Sequence, residues 1–464
     1  MSEERRPLEL RPILFPESAA VVGASATPGK LGHTILSNML DAGFRGPIYP
    51  IHPRERVILG RPAYPSLSEA PGPVDLVVVA IPGSGVVPII EEAAETGAGG
   101  AVVISAGFAE AGAEGVEAER RLREISREAS LPIVGPNCQG VISQRGCLSA
   151  WFGPSPDHWG NGLFLSQSGG LAGTIIGQLN RAQRGLVDTV MSLGNKSSVD
   201  EADLLASVAD DEAIRFAMCY IEGFGDDRGR AFIEAAAAFG ERGKPVVVLK
   251  GGRSDAGTRA ASSHTASLAG SDRVFDAAMK QSGVLQAESI REFLDIARYL
   301  AVQHPQPGRR VLILTNLGGP GVVTADLCER HGLEVTSTTA SLQKALQERI
   351  PSYCSVRNPI DLAGDPAPER YGVILRHVYE SREYDAVLIV AAPLSGDEQV
   401  ARDIVAAHRK IPTPTAVCWM GDAEATSAAE ILESGGFPVY PMPEDAVRVL
   451  AAVVGRQPAQ QTGE

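Results

Sequence analysis

The sequence predicts an α/β protein built from several parallel-sheet domains, and three observations carry this prediction. Short runs of β-branched residues alternate with Ala/Glu/Arg-rich stretches of helical length along the whole chain, which is typical of βαβ units. The chain has 464 residues, enough for about three domains. Its 50 glycines, against 5% aromatic residues, favour tight turns and close backbone approaches over a ligand site built from rings.

Composition excludes several classes of function. The 42 Lys and Arg against 56 Asp and Glu give a net charge of -14, so we expect no nucleic-acid partner. No apolar run is long enough to cross a bilayer, so we expect no membrane partner. The six cysteines contain no C-x-x-C pair and the N-terminus lacks a signal-peptide core, which indicates a cytoplasmic protein. The eight histidines form no H-x-x-x-H pair, and no metal site is predicted.

The first unit, residues 10–140, is predicted to be a Rossmann-type domain. Its strand candidates, in chain order, are AAVVGA, PIYPI, VDLVVVA, GAVVIS and LPIVG. Helical segments such as GVVPIIEEAAETG separate them. Strands that alternate with helices in this way predict a buried parallel sheet.

The same alternation restarts in a second unit, residues 141–303, and in a third, residues 309–456. The strand candidates are LFLSQ, DTVMSL, IRFAMCYI, KPVVVLK and GVLQA in the second unit and RVLILTN, YDAVLIVAAP, TAVCWM and FPVYP in the third. The helix SIREFLDIARYLAV and a linker with Pro305 and Pro307 join the two units, and the terminal QPAQQTGE is predicted to be disordered. One pattern, a strand, a polar residue, Gly-Gly and a helix, occurs in both units, as LFLSQSGGLAGTII and VLILTNLGGPGVVTADL. Either the two domains are related or they share only a turn geometry.

The first glycine cluster, VVGASATPGKLGHTIL, is predicted to be a strand, a glycine-rich loop and a helix. Such a loop lets a phosphate reach backbone N–H groups at a positive helix terminus. The cluster is neither a Walker A loop nor a G-x-G-x-x-G fingerprint, because Gly23 and Gly29 enclose five residues and Leu31 follows Lys30. NAD, coenzyme A and a purely structural turn all remain open. Arg54, after the second strand, could meet the ribose or adenine part of such a ligand or lie exposed.

The second cluster contains Ser166, Gln167, Ser168, Gly169 and Gly170, and it also lies between a predicted strand and a helix. Its amides and hydroxyl favour an anion site, and the alternative is an ordinary helix N-cap. A serine nucleophile is disfavoured because G-x-S-x-G is absent.

The third segment, LKGGRSDAGTRAASSHTASLAG, is predicted to be a long, mobile loop of small residues. His264 lies in it, and a neutral imidazole can accept a phosphoryl group near neutral pH when a carboxylate orients the ring. Glu222, at the end of the preceding strand, is the candidate carboxylate, and a solvated histidine is the alternative. Asp361, Asn195 and Lys196 are further candidates for pocket lining or simple capping.

A series of motifs resembles the NDP-forming acyl-CoA synthetases, relatives of succinyl-CoA synthetase. In chain order these are GPNCQGV, LSQSGGLAGTI, SLGNKSSVDEADLL, YIEG, GGRSDAGTRAASSHTASLAG, TNLGGPGV and NPIDLAGD. The likeness runs from about Phe15 to Val454 and is greatest to the α subunits of ADP-forming acetyl-CoA synthetases. It implies an N-terminal Rossmann-type CoA-binding domain followed by two flavodoxin-like parallel-sheet domains.

The resemblance also implies site residues. His264 would be a transient phosphohistidine, Glu222 the carboxylate that steadies it, and Ser168, Gly169 and Gly170 the phosphate-binding loop. The residues implied for coenzyme A are Gly23, Ala24, Ser25, Lys30, Arg54, Pro82, Ser105 and Asn137. Gln139 replaces the leucine usual in this family, and His52 replaces an asparagine, which bears on the thioester pocket and the adenine contacts.

The implied activity is that of an acid–thiol ligase, acyl-CoA + Pi + ADP ⇌ acid + CoA + ATP, acting through an acyl phosphate. No segment resembles an ATP-grasp module, so we expect ADP or ATP with Mg on a separate β subunit in a hetero-oligomer. One alternative is a non-catalytic CoA-binding regulatory or scaffold protein of the same fold. Another is an NAD-dependent dehydrogenase, against which the basic end of the PIYPI strand at Arg54 argues.

Overall fold

A computed structural model gives the structure of residues 8–182, 184–225, 228–265, 272–304, 308–364, 368–392, 397–408, 413–420 and 427–454. The side chains of residues 261–265, the linker prolines Pro305 and Pro307, and the QPAQQTGE tail lie outside this description. The chain forms two compact units that divide between Val284 and Leu285. The predicted domain limits at residues 140 and 303 stay predictions. None of the described helices is long and apolar enough to cross a bilayer.

The first unit begins with a five-stranded parallel sheet of order β2-β1-β5-β6-β7. Its elements are α1 (Arg11–Leu14), β1 (Ala19–Val22), α2 (Leu31–Asp41), β2 (Ile48–Ile51), β3 (Val57–Ile58), β4 (Arg61–Pro62), β5 (Leu76–Val79), α3 (Val86–Glu95), β6 (Gly100–Val103), α4 (Ala113–Ala129) and β7 (Ile133–Val134). Alternate residues of β1 belong to two different apolar cores: Ala19 and Val21 to one, Ala20 and Val22 to the other. Both faces of the sheet are therefore covered, which explains the unbroken apolar runs.

A second sheet of this unit contains strands in the order β13-β12-β10-β11-β8-β9. Its elements are β8 (Gly140–Ser143), β9 (Leu148–Trp151), β10 (Gly162–Ser166), α5 (Gly169–Arg181), β11 (Val187–Ser192), α6 (Glu201–Ser207), β12 (Phe216–Ile221), α7 (Arg228–Glu241), β13 (Val246–Lys250), α8 (Asp255–Thr265) and α9 (Asp272–Gln281). Strands β10 to β13 are parallel, whereas β8 and β9 form an antiparallel hairpin that the sequence did not predict.

The second unit contains a five-stranded parallel sheet of order β16-β15-β17-β18-β19. Its elements are β14 (Leu285–Ala287), α10 (Ile290–Val302), β15 (Val311–Thr315), α11 (Gly318–Arg330), α12 (Ala340–Gln347), β16 (Ile360–Asp361), α13 (Glu369–Ser381), β17 (Ala386–Ala391), α14 (Asp397–His408), β18 (Thr415–Trp419), α15 (Ser427–Ser434), β19 (Val439–Tyr440) and α16 (Pro443–Val453). The predicted α/β class, with its Rossmann-type domain and flavodoxin-like parallel sheets, is confirmed.

One local prediction is wrong. The stretch after β13, expected to be a loop through Gly270, contains the helix α8 over Asp255–Thr265. Ser254 caps this helix, because its Oγ accepts from the Gly257 N–H at 3.1 Å. The segment's alanines then favour continuation of the helix, because a small side chain loses little conformational freedom there.

Candidate functional site

The carboxyl ends of both parallel sheets of the first unit line one cavity of about 1020 Å³, a volume typical of ligand sites. In each sheet the first of the parallel strands lies between two later ones, β1 between β2 and β5 and β10 between β11 and β12. Ligands of open α/β sheets bind at the ends of such strands, where the strand order reverses. The predicted site residues that line the cavity are Gly23, Ala24, Ser25, Lys30, Pro82, Ser105, Asn137, Ser168, Gly169 and Gly170.

The glycine-rich loop after β1 closely approaches the start of α2. A Cβ on Gly32 would lie 1.9 Å from the Gly23 carbonyl oxygen, so only glycine fits there. Gly23 has φ +86°, and a Cβ on it would lie 2.5 Å from the Ala80 carbonyl oxygen. The loop backbone is thereby held at the cavity, with Lys30 exposed at the first turn of α2.

Polar contacts hold the opposite wall together. Asn137 has φ +57°, its N–H donates to the Ser105 carbonyl at 2.9 Å, and its Nδ2 donates to Asn195 Oδ1 at 3.4 Å. Asn195 Nδ2 in turn donates to Glu110 Oε2 at 2.7 Å and to Glu119 Oε2 at 2.9 Å. Although burial raises the pKa of Glu110, the hydrogen bonds from Asn195 and from backbone N–H groups outweigh it and lower that pKa. The carboxylate therefore stays ionised and fixes the Asn195 amide at the cavity wall.

The N-terminus of α5 faces the same cavity. Ser168 is its N-cap, and its Oγ accepts from the Leu171 N–H at 3.3 Å, while Ser166 Oγ donates to the Ser168 carbonyl at 2.6 Å. The N–H groups of Gly169 and Gly170, in the first turn, have no acceptor within the helix. Both glycines line the cavity, so these donors and the positive end of the helix are available to an anion.

Glu222 follows β12 and is only 7% exposed. Its N–H donates to Gln167 Oε1 at 2.8 Å, and the Gly223 N–H donates to the same oxygen at 3.3 Å. The Tyr220 hydroxyl donates to Glu222 Oε1 at 3.3 Å, and burial together with this carboxylate raises the pKa of Tyr220 to about 12. Because Gln167 belongs to the loop between β10 and α5, one side chain joins the Glu222 backbone to the loop that precedes α5.

Two buried lysines hold the same turn from the other side. Lys250 Nζ donates to the Glu222 carbonyl at 2.7 Å, and burial lowers the pKa of Lys250. Lys196 Nζ donates to the Gly223 carbonyl at 2.6 Å and forms an ion pair with Glu201 at 3.0 Å. The backbone around Glu222 is thus fixed by Gln167, Lys196 and Lys250.

The candidate Asn195 also lines the cavity, whereas Arg54 and Glu222 do not. Arg54 is exposed and is not a lining residue, and its N–H donates to His52 Nδ1 at 3.2 Å. Glu222 lies behind the lining residue Gln167. His264 belongs to α8 by its backbone, and its side chain lies outside the described residues.

Sequence reasoning gave no site role to the lining residues Cys138 and Gly194. Gly194 follows the parallel strand β11 at its carboxyl end, a position that could have marked it. The cavity is also lined by His52 and Gln167, which the sequence singles out, and by Phe152 of the WFG segment, which follows the unpredicted hairpin β8–β9.

Family models match three stretches of the chain. A CoA binding domain matches residues 17–144, a succinyl-CoA ligase like flavodoxin domain matches residues 160–300, and a ligase-CoA domain matches residues 311–459.

Similar proteins match over nearly the whole chain. The alpha subunit of acetate–CoA ligase [ADP-forming] I from Pyrococcus furiosus is 38% identical, over 96% of this chain and 97% of its own length. Acetate–CoA ligase [ADP-forming] I from Archaeoglobus fulgidus is also 38% identical, but this chain spans only 63% of its length. A structure of acetyl-coenzyme A synthetase 1 from Candidatus Korarchaeum cryptofilum, in complex with phosphate and ADP, matches with a TM-score of 0.89 at 34% identity, over 96% of both chains.

Proposed function

The chain belongs to the NDP-forming acyl-CoA synthetase family, and from that premise we propose that it is the α subunit of an ADP-forming acyl-CoA synthetase of the acetyl-CoA type. The reaction is acyl-CoA + Pi + ADP ⇌ acid + CoA + ATP. The observation that carries the proposal is the shared cavity: the glycine-rich loop at Gly23 and the free first-turn amides at Gly169 and Gly170 open into one space.

Coenzyme A would occupy the side of the cavity formed by the first sheet. Gly23 lets the backbone approach the ligand closely, Ala24 and Ser25 would offer backbone N–H groups, and Lys30 would add one positive charge, which suits the phosphates of the ligand. Pro82, Ser105 and Asn137 lie along the wall that leads toward α5, where the pantetheine arm would pass. Arg54 is exposed after β2 and could meet only an outer part of the ligand.

Phosphate would bind at the N-terminus of α5, on the Gly169 and Gly170 amides beside the Ser168 hydroxyl. A phosphate oxygen attacks the thioester carbonyl, the C–S bond breaks, and coenzyme A leaves as the acyl phosphate forms. Fixed amides suit this step because negative charge develops on the carbonyl oxygen and on the transferring phosphoryl group.

The phosphoryl group would then pass from the acyl phosphate to a ring nitrogen of His264, releasing the free acid. Glu222 is the proposed orienting carboxylate, which requires its backbone to be well fixed. The contacts to Gln167, Lys196 and Lys250 support that role. From phosphohistidine the group would go to ADP, regenerating His264 and forming ATP.

We place the ADP site, with its Mg ion, on a separate ATP-grasp β subunit. The alpha-subunit names of relatives that match nearly end to end support a partner and a hetero-oligomer. A cytoplasmic location is supported by the six free cysteines, which fit a reducing compartment.

The test is phosphoenzyme formation by the purified chain with acetyl-CoA and radiolabelled phosphate. We expect release of free coenzyme A and a protein label that is stable to base and labile to acid, as a P–N bond is. His264→Ala should lose the label and keep CoA binding, and His331→Ala, at an exposed histidine after α11, should keep both.

Two results would overturn parts of the proposal. An acid-stable label that persists in His264→Ala would move the phosphoryl acceptor to another residue. Binding of coenzyme A with neither label nor thioester cleavage, even with a β subunit present, would favour a non-catalytic CoA-binding regulatory or scaffold protein.

A further inference from the structure

The side chain of Gln167 connects the start of α5 to the turn that follows β12. Gln167 immediately precedes Ser168, the N-cap of α5, and is only 5% exposed. Its Oε1 accepts from the N–H groups of both Glu222 and Gly223, at 2.8 and 3.3 Å. Because two N–H groups point at this atom, it must be the oxygen, and the orientation of the amide is fixed.

The amide nitrogen of Gln167 has no protein partner. No described residue accepts a hydrogen bond from Nε2, yet Nε2 is not among the fully enclosed polar atoms that lack a partner, so it retains contact with open space. Gln167 lines the cavity, as do Ser168 and Gly169 after it. The small exposed part of this side chain therefore includes Nε2, which faces the cavity beside the first turn of α5.

A buried lysine charge is linked to this amide through one peptide group. Lys250, which is 8% exposed and does not line the cavity, donates from Nζ to the Glu222 carbonyl at 2.7 Å. That carbonyl belongs to the same peptide group as the Gly223 N–H, which donates to Gln167 Oε1. Hydrogen bonds joined in a chain polarise one another. The lysine charge therefore makes the Nε2–H groups of Gln167 better donors.

The free Nε2 determines what kind of ligand can pair with it. A carboxamide nitrogen carries two N–H donors and accepts no hydrogen bond, so its partner must be an acceptor. No Asp or Glu is among the described residues that line the cavity, so these residues offer no carboxylate to it. The neighbouring N–H groups of Gly169 and Gly170 favour an anion, and the oxygens of one phosphate can accept from all three groups.

We propose that Gln167 is a catalytic residue whose Nε2 donates to the phosphoryl group, both in bound inorganic phosphate and during transfer from the acyl phosphate. In that transfer the P–O bond of the acyl phosphate breaks as the P–N bond to His264 forms, and Gln167 exchanges no proton. The phosphoryl group passes from the first turn of α5 toward the residue that Glu222 is proposed to orient, and Gln167 contacts both turns. This inference rests on the proposed function, because it takes the cavity as the site of that reaction.

The first test measures binding of radiolabelled inorganic phosphate to the full chain by equilibrium dialysis. Gln167→Glu keeps an oxygen for the Glu222 and Gly223 N–H groups but loses the donor, and Gln167→Met is neutral and loses both. Each should weaken phosphate binding at least about tenfold, the usual effect of one hydrogen bond to a charged group. Gln178→Glu, at an exposed position later in α5, is the matched control and should bind phosphate as wild type does. Unchanged affinity for coenzyme A confirms that a variant is folded.

The second test starts from acetyl phosphate, which bypasses attack on the thioester. Both Gln167 variants should label the chain at least about tenfold more slowly than wild type at equal acetyl phosphate. A wild-type rate of labelling from acetyl phosphate would overturn the role in transfer and assign Nε2 to the thioester carbonyl oxygen instead.

The phosphate contact and the proposed function fail in different ways. Unchanged phosphate binding in both Gln167 variants, or weakening in Gln167→Glu alone, would overturn the contact, since the second result needs only the added charge. Phosphate binding that depends on Gln167, without any label even when a β subunit is present, would support the contact and overturn the synthetase proposal. Failure of wild type to bind phosphate would overturn both.

Discussion

Replacing Lys196 with methionine should destabilise the fold around Glu222 more than any surface substitution. The Lys196 side chain is 7% exposed, and its ion-pair partner Glu201 is 1% exposed. Nζ lies 3.0 and 3.2 Å from the two Glu201 oxygens and 2.6 Å from the Gly223 carbonyl oxygen. Methionine keeps the apolar length of the side chain but removes all three contacts.

The size of the expected loss of stability follows from the burial of the ion pair. Removing one member of a buried ion pair leaves an uncompensated charge and costs about 3–5 kcal/mol. Burial already raises the pKa of Glu201, and the Lys196 charge opposes that shift. Without Lys196 the pKa of Glu201 in the folded state should rise further. A carboxyl with a raised folded pKa contributes stability at low pH that is lost as pH rises through that value. The deficit of Lys196→Met should therefore be larger near pH 8 than near pH 5.

Hydrogen–deuterium exchange of peptides from β12 is the assay, because it reports the first unit without assuming two-state unfolding of the whole chain. At pH 8 a loss of 3–5 kcal/mol speeds exchange about 100-fold or more. Lys280→Met, at an exposed lysine of α9, is the control and should change stability by less than about 0.5 kcal/mol. The double variant Lys196→Met/Glu201→Leu should recover most of the loss. Two results would refute the reasoning. One is a loss of stability in Lys196→Met that Glu201→Leu does not relieve, and the other is a loss of the same size at pH 5 and pH 8.

Two further predictions concern the cavity. Gly23→Ala should lower the free energy of unfolding by about 2–5 kcal/mol and abolish CoA binding, because its Cβ would meet the Ala80 carbonyl. Gly29→Ala, at a similar φ of +83° but with open space around it, should lower the free energy of unfolding by about 1–2 kcal/mol. Thermal unfolding measures the stabilities and calorimetry the CoA binding, and equal losses in the two variants would contradict the steric argument. Burial raises the pKa of the Cys138 thiol to about 12, so this thiol should react slowly with maleimide near pH 8. Mass spectrometry of the treated native chain should find Cys147 labelled and Cys138 unlabelled. Rapid labelling of Cys138 would contradict this and show that the cavity wall opens.

The sequence predicted the sheets well because a strand buried on both faces leaves an unmistakable apolar run. The runs around Val21 and Val78 are examples. It predicted the loops at Gly23 and Gly169 because a strand, glycines and a helix follow one another directly along the chain. It missed the role of Gln167, since the link from this residue to Glu222 joins positions 55 apart and depends on β10 and β12 being neighbours. Pairing of distant strands leaves no local pattern.

The internal repeat is the clearest case in which a pattern predicts geometry but not chemistry. Ser166 Oγ donates to the carbonyl two residues on in the first unit, and Thr315 Oγ1 does the same to Leu317 at 3.0 Å in the second. Both loops follow a strand at which the strand order reverses, β10 and β15, and both lead into a Gly-Gly helix start.

The electrostatics at the two helix starts differ. At α5 a serine caps the first turn, and no Asp or Glu is among the described residues that line the cavity. At α11 the N-cap is Leu317, which has no side-chain cap, and Asp361 Oδ2 lies 3.1 Å from the point where a Cβ on Gly318 would be. That carboxylate already places a negative charge at the positive end of the helix, so a second anion would be repelled. The repeated turn thus leaves the helix start in the first unit open to the proposed anion, whereas in the second unit the chain's own carboxylate occupies that position.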